Sequence, residues 1–549
     1  MSKDDGVLTP GQQFDRKMSG FLREMREQQY SRRGLMRTAA GAAGLAALGI
    51  AGRPFLPGVS VLGQVGDTIN FGLESDPRAV EPALGYDFTA NPVICNITEG
   101  LMMLDINSAL QPLLAETFEQ PDATTYVYTL RSGVTFHDGT PLTVADVLAS
   151  IERVRNPAIA SPMAWMFDPV DTIEATGDMQ LTIKLKSPSA SFQYVAAVTA
   201  MHVMPKALID STADQPTQSP IGTGPFKFVR WDAGSEILLE KNESYWQEGK
   251  PAFAKASFKI VIEPTTRSTG LKTGDLNMVR DIPPDQLATV QAIEKVQLLD
   301  VVGFSINSIV MRNDQAPFND IKVREAVSKA IDVESIMTNL VKETGVRANS
   351  TTVPSGMPGS ASDQLQPVAF DLEAAKAALA ASSVPDGFST QLLVDSESTQ
   401  RVAEAQAVQE MLKELNIEVE IIKVPQAERL TILSEGDYQM TFHEWGSDFP
   451  DANGMLLPLF HSRSVPPQNN QSFYSNPEVD RLLDAADGEV DLEKHNQYLI
   501  DAQKLIAADM PVVWLDHFKW FLALDKSLTG YSIGPLFYWD SFLRDLKPA

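Results

Sequence analysis

Two periodicities alternate along most of this chain, and that alternation limits its fold more than any other feature. Period-two segments occur at 125–130 (TYVYTL), 181–185 (LTIKL), 226–231 (FKFVRW), 236–240 (EILLE), 258–262 and 301–307 (VVGFSIN). Side chains of a strand alternate between its two faces, so each reads as a strand. Asp232-Ala233-Gly234-Ser235 lies between two of them and reads as a hairpin turn. Helical spacing appears between these segments. Thr143 caps TVADVLASIERV, Asp320 caps IKVREAVSKAIDVESIM, and Asp371 caps LEAAKAALAAS. A helical stretch at 404–415 leads into a strand at 417–424, and RLTILSEG leads into YQMTFHEW in the same order. Helices and strands mixed in this way give an α/β fold. At 549 residues the chain is too long for one compact core, so more than one lobe is expected.

Composition narrows the function. With 44% hydrophobic and 21% charged residues, a packed globular fold is expected. The formal net charge of -26 argues against nucleic acid and against docking on an anionic membrane, since both need basic surface. An acidic surface instead favours cationic ligands. The lone cysteine, Cys95, lies in an apolar run and reads as a small core residue; no intramolecular disulfide and no cysteine-based metal cluster can form.

The first sixty residues read as an address. Arg32 and Arg33 precede Gly34, Leu35 and Met36, and residues 38–50 carry no charge and are mostly Ala, Gly and Leu. That run is too short for a membrane span. A basic region, a weakly apolar region and a proline-containing end resemble a twin-arginine export signal. Cleavage is expected near Ser60-Val61 or Gly63-Gln64. Residues 1–63 hold nine Lys/Arg and five Asp/Glu, a net of +4, so their removal takes -26 to -30. No cysteine follows the apolar run to carry a lipid anchor, so an exported, acidic, periplasmic protein is expected.

Four stretches together carry a family resemblance. The first, residues 99–154, contains Leu130, Arg131, Gly133, Val134, Phe136, His137, Asp138, Gly139, Pro141, Leu142, Thr143, Asp146 and Val147 in one long pattern. The second is IGTGPFKFVRW (221–231) followed by KNESYW. The third is APFNDIKVREAVSKAID (316–332), and the fourth is WGSDFPDANG (445–454). In this order they resemble the peptide-type solute-binding proteins of ABC importers, the dipeptide/oligopeptide-binding family 5, over residues 66–549. The residues have structural readings of their own. His137-Asp138-Gly139 is a turn between a strand and a capped helix. Gly222-Thr223-Gly224-Pro225 begins a strand and cradles no phosphate, because no Gly-Lys-Ser/Thr follows.

The resemblance implies a two-lobed periplasmic binding protein clamshell with mixed sheets, two inter-lobe crossings and an extra subdomain on lobe I. The expected division is a signal and flanking segment at 1–63, lobe I at 64–96, 219–304 and 513–549, the extra subdomain at 97–218, and lobe II at 305–512. Crossings are expected near 301–308 and 511–517. A ligand caught between lobes drives closure through its differential affinity for the closed state. The implied partners are a small ligand, the permease and ATPase of an ABC importer, and the twin-arginine machinery. A monomer is expected, with no cofactor.

The resemblance also assigns a site. A Trp-x-x-Asp on lobe II faces the cleft in peptide-binding members, and Trp445 and Asp448 match it. An ammonium in a closed cleft needs a counter-charge, and an indole beside it adds cation–π contact. The structural alternative is a turn-capping Asp448 before Pro450 with Trp445 in the core. Gly446 and Phe442 flank the motif, and Asp451, Asn453 and Gly454 read as shaping the loop. From lobe I, Glu74, Ser75 and Tyr86 lie within reach after the first strand, while Trp165 and Met201 sit in apolar stretches as candidate pocket residues. No arginine suited to a ligand carboxylate stands out, since Ser355 follows Thr352-Val353-Pro354 with no arginine nearby. That leaves longer peptides, opines, amino-sugar compounds, oligosaccharides and metal chelates as alternatives to dipeptides.

An enzyme is the rival from another class, with Asp448 and Glu444 or Asp451 as an acid/base pair. No nucleophile elbow or His-x-x-Glu-His motif supports it, so no enzyme activity is expected. The six histidines, His137, His202, His443, His461, His495 and His517, show no close metal-ligand spacing, and no metal site is expected.

Overall fold

The computed structural model describes residues 66–213, 215–280, 282–536 and 542–549. The signal-like segment lies outside them. A mixed sheet of twelve strands runs through the molecule. One half contains Thr68–Leu73, parallel to both Lys255–Ile260 and Met278–Arg280, with the hairpin Phe226–Asp232/Glu236–Lys241 at its edge. Gly234 supplies the left-handed turn of that hairpin at φ 73°. The other half contains Ser305–Met311, antiparallel to Met440–Gly446, and the parallel pair Phe388–Asp395 and Ile417–Val424. These halves are the two lobes.

A single strand, Val512–Asp525, belongs to both halves. Its first part pairs with Ser305–Met311 and Gly345–Arg347, and its second part with Met278–Arg280 and Val296–Val302. The other passage between lobes is at Gly303-Phe304. The stretch expected as one strand at 301–307 is therefore two, Val296–Val302 and Ser305–Met311. Gly303 is needed there, because a Cβ would lie 2.6 Å from the Trp520 indole nitrogen. The long helix expected after Asp320 is also divided. Asp320 caps Ile321–Ala330, and Asp332 then caps a second helix, Val333–Ile336.

A four-stranded antiparallel sheet forms the extra subdomain, in the order Ala115–Asp122, Thr125–Leu130, Gln180–Leu185, Val170–Gly177. Tyr126, Tyr128 and Leu130 turn inward while Thr125, Val127 and Thr129 are only half-buried, as period two demands. The helix Val144–Arg155 packs on this sheet, and the Asp146 carboxylate accepts from the Thr143 amide and hydroxyl at its start.

Buried polar groups tie the subdomain to its lobe. Arg153 donates to both carboxylate oxygens of Glu81. Glu99 accepts from Thr223, Tyr245 and Trp246 at 2.7–2.9 Å. His137 is part of the same structural join. Its Nε2 lies 3.0 Å from the Gly224 carbonyl, and its Nδ1 accepts from the Gly222 amide at 3.3 Å. Burial lowers this imidazole to about 4, so it stays neutral. A Cβ on Gly224 would lie 2.7 Å from the Ile97 carbonyl carbon, so the glycines permit close backbone approach.

Candidate functional site

The strand Met440–Gly446 is buried through His443, and its last residues, Glu444, Trp445 and Gly446, stay paired in the sheet but are exposed or half-buried. Trp445 pairs with Ile306 and Gly446 with Ser305, so the strand ends beside the Gly303-Phe304 passage. The following loop is pinned on both sides. The Ser447 amide donates to the Phe304 carbonyl at 2.8 Å. Asp451, 4% exposed, meets His495 Nε2 at 3.0 Å and accepts from the Asn453 amide at 2.9 Å. The Trp445 indole donates to the Gly454 carbonyl at 3.3 Å and its ring stacks on His443. Asp448 sits at the middle of this fixed loop, and there the Tyr86 hydroxyl donates to its Oδ1 from the other lobe. Burial, followed by the charge and hydrogen bond of Asp448, pushes the Tyr86 phenol well above the usual tyrosine range.

Tyr86 and Asp448 line a cavity of about 510 Å³ between the lobes. Its wall is aromatic, with Tyr86, Phe88, Phe304, Trp445, Phe518 and Trp520. Phe518 meets Trp520 edge-on at 4.9 Å, and Phe88 meets the same indole at 5.4 Å. The wall is also acidic. Glu74, Asp87, Glu444 and Asp448 contribute four carboxylates, while Arg280 is the one Lys or Arg among the described lining residues. Aromatic faces and carboxylates together suit a cation, by ring quadrupole and by charge.

A second cavity of about 300 Å³ adjoins the first and shares Glu444, Phe518 and Trp520 with it. Arg401 organises its wall. It donates to Glu404 at 2.6 Å and to Asn307, and it lies 3.5 Å from Glu444. Asn307 in turn donates to Asp516 at 3.1 Å. Burial raises Asp516 to about 7 despite the opposing charge of Arg401.

Of the residues proposed from sequence, Glu74, Tyr86, Glu444, Trp445, Gly446 and Asp448 come together in the first cavity. Phe442, Met201 and Trp165 do not. Phe442 is 4% exposed, in the core of the second lobe beneath the Arg401 guanidinium. Met201 is 1% exposed, packed in the subdomain core. Trp165 is on the surface and meets Phe449 of the site loop edge-on at 6.4 Å. Ser75 is exposed and is not part of the wall. Sequence reasoning missed Arg280, Asp87 and Asn91. Arg280 closes an otherwise apolar three-residue strand, and a buried charge at a strand end is the signal that marks it.

Among the described residues no group of three or more His, Cys, Asp or Glu is arranged to hold a metal ion. Their histidines have structural partners instead. His202 bonds Thr98, His461 lies 3.2 Å from Asp484, and His517 Nδ1 lies 2.6 Å from the Ser305 carbonyl.

Residues 109–466 match the family described as bacterial extracellular solute-binding proteins, family 5 Middle. Among curated proteins, the chain is similar to the glutathione-binding protein GsiB of Pectobacterium atrosepticum, 27% identical over 466 residues, 83% of this chain and 90% of that one. It is 28% identical to GsiB of Salmonella typhi over 502 residues, 89% and 96% of the two chains. Among solved structures it resembles the PBP AgaA of A. tumefacien R10 in complex with agropinic acid, with a TM-score of 0.72, 26% identity, and coverage of 88% of this chain and 99% of that one. HbpA2 of Haemophilus parasuis has a TM-score of 0.80 at 23% identity, covering 88% and 100%, a likeness of fold.

Proposed function

The chain belongs to the family 5 bacterial extracellular solute-binding proteins, and from that premise we propose that its solute is a peptide or another compound with a basic amine, held between the lobes by Trp445 and Asp448. One observation carries this reading. A carboxylate on a pinned loop faces an aromatic cavity whose described lining holds four carboxylates and one guanidinium. An ammonium entering that space gains a counter-charge and an indole face, and leaves water that the cavity wall excludes. Closure of the lobes over it makes the form an ABC importer recognises.

The relatives named for glutathione, a tripeptide with a free α-ammonium, support a peptide-like solute. The structural neighbour that holds agropinic acid supports a second reading, an opine in the same cleft. In our reading Gly446 and Glu444 complete the second-lobe wall and Tyr86 the first-lobe wall. The receptor works as a monomer, reaches the periplasm by the twin-arginine route, and releases its solute chemically unchanged.

Native mass spectrometry of protein purified from the periplasm, followed by denaturation, tests the reading. Release of a peptide, opine or other amine is expected. Release of a neutral sugar or of an anion without an amine would overturn it.

A further inference from the structure

Asp87 and Asn91 lie one turn apart at the start of the helix Asn91–Ile97, where the Asn91 amide donates to the Asp87 carbonyl at 3.2 Å. Both line the cavity that holds Asp448. Asp87 uses only one carboxylate oxygen to shape the chain: Oδ1 accepts from the Thr89 amide, the Thr89 hydroxyl and the Ala90 amide at 2.7–3.0 Å. Its other oxygen, Oδ2, is buried and meets no donor among the described residues. The side-chain carbonyl of Asn91 is in the same condition, on a residue only 1% exposed. Buried acceptors are nearly always satisfied, so two unmet ones on two residues that line one cavity call for a donor from outside the fold.

We propose that Asp87 and Asn91 form a second donor-binding subsite, on the first lobe, for a second cationic nitrogen of the same solute, an ammonium or a guanidinium. The proposal rests on the reading of the cleft as amine-binding and adds to it. A carboxylate oxygen and an amide oxygen together accept from a group with several N–H donors, and the four-to-one excess of carboxylates in the wall selects a charged donor over a neutral one. The solute is then dibasic, with one nitrogen on each lobe. That sets it apart from glutathione, whose net charge is negative.

Titration calorimetry with four probes, Ala-Lys, Ala-norleucine, cadaverine and glutathione, tests this. Ala-norleucine keeps the four side-chain carbons of Ala-Lys but lacks the terminal ammonium. The wild-type protein is expected to bind Ala-Lys about tenfold or more tightly than Ala-norleucine. Asn91→Leu and Asp87→Asn should each erase that preference. Asp87→Asn retains the Oδ1 contacts of the turn, so it remains informative if Asn91→Leu fails to fold. Equal affinity for Ala-Lys and Ala-norleucine, a preference unchanged in both variants, or tighter binding of glutathione than of Ala-Lys would overturn the second subsite and leave the amine reading standing. Failure of all four probes to bind would overturn both.

Discussion

The Tyr86 hydroxyl donates a hydrogen bond to Asp448 Oδ1, joining two lobes through residues 362 positions apart in the chain. The same carboxylate is the proposed anchor for the solute. Two losses should therefore differ in size. Asp448→Asn leaves a buried ammonium without its counter-charge and should weaken an amine solute by about 2 kcal/mol, roughly thirtyfold. Tyr86→Phe removes the hydroxyl that donates to Asp448 across the lobes and should cost about 1 kcal/mol. Calorimetry with the native solute measures both. Equal affinities for Asp448→Asn and the wild type would remove Asp448 from the site.

Trp445 provides a face rather than a charge. Trp445→Phe should keep most of the affinity, while Trp445→Ala should lose about 1 kcal/mol or more with the cation–π contact. Thermal melts of both variants separate a binding effect from loosening of the loop, since the indole also donates to the Gly454 carbonyl. If the Ala and Phe variants bind alike, the indole is loop structure and nothing more.

Asp516 gives a pH dependence with a definite sign. Burial, with Glu404 and Glu444 adding to it and Arg401 opposing, raises its folded value to about 7 from 3.8. The neutral acid is therefore the form the fold prefers. Its stability contribution is present in full below about pH 4 and is lost as pH rises through 7. Asp516→Asn cannot ionise and still offers an acceptor to Asn307. Denaturant unfolding at about pH 5, 6.5 and 8 should show the Asp516→Asn variant gaining on the wild type with rising pH. Parallel curves would contradict this.

The buried Glu81–Arg153 pair secures the subdomain, with both side chains at most 2% exposed. Glu81→Ala strands a guanidinium in the interior and removes the acceptor of the Thr217 amide. A loss of about 3–5 kcal/mol in denaturant unfolding is expected. Replacing both partners, as Glu81→Leu with Arg153→Met, should restore part of it.

Local structure was legible wherever one residue type met a strict backbone need. Gly234 supplies the hairpin's left-handed turn, and Asp320 and Asp371 accept from amides at their helix starts. Reading failed where apolar periodicity continued through a tertiary break. Residues 302–307 alternate apolar with small or polar, yet the chain changes lobes at Gly303, for reasons set by the distant Trp520. The same blindness affects the site. An apolar residue near a motif is core or cleft according to packing, which is why Phe442 and Met201 belong to cores. Arg280, Asp87 and Asn91 were missed because their meaning depends on which wall they share with Asp448.

The strand Val512–Asp525 is hydrogen-bonded into both lobes. A strand clamped along its whole length cannot slip past its neighbours without breaking a ladder, so the lobes are free to swing but not to slide. The arc of that swing is fixed by the few peptide units near Phe518, where the strand changes partners. That single arc predicts one closed geometry for whatever solute fits, and so one docking face for the importer.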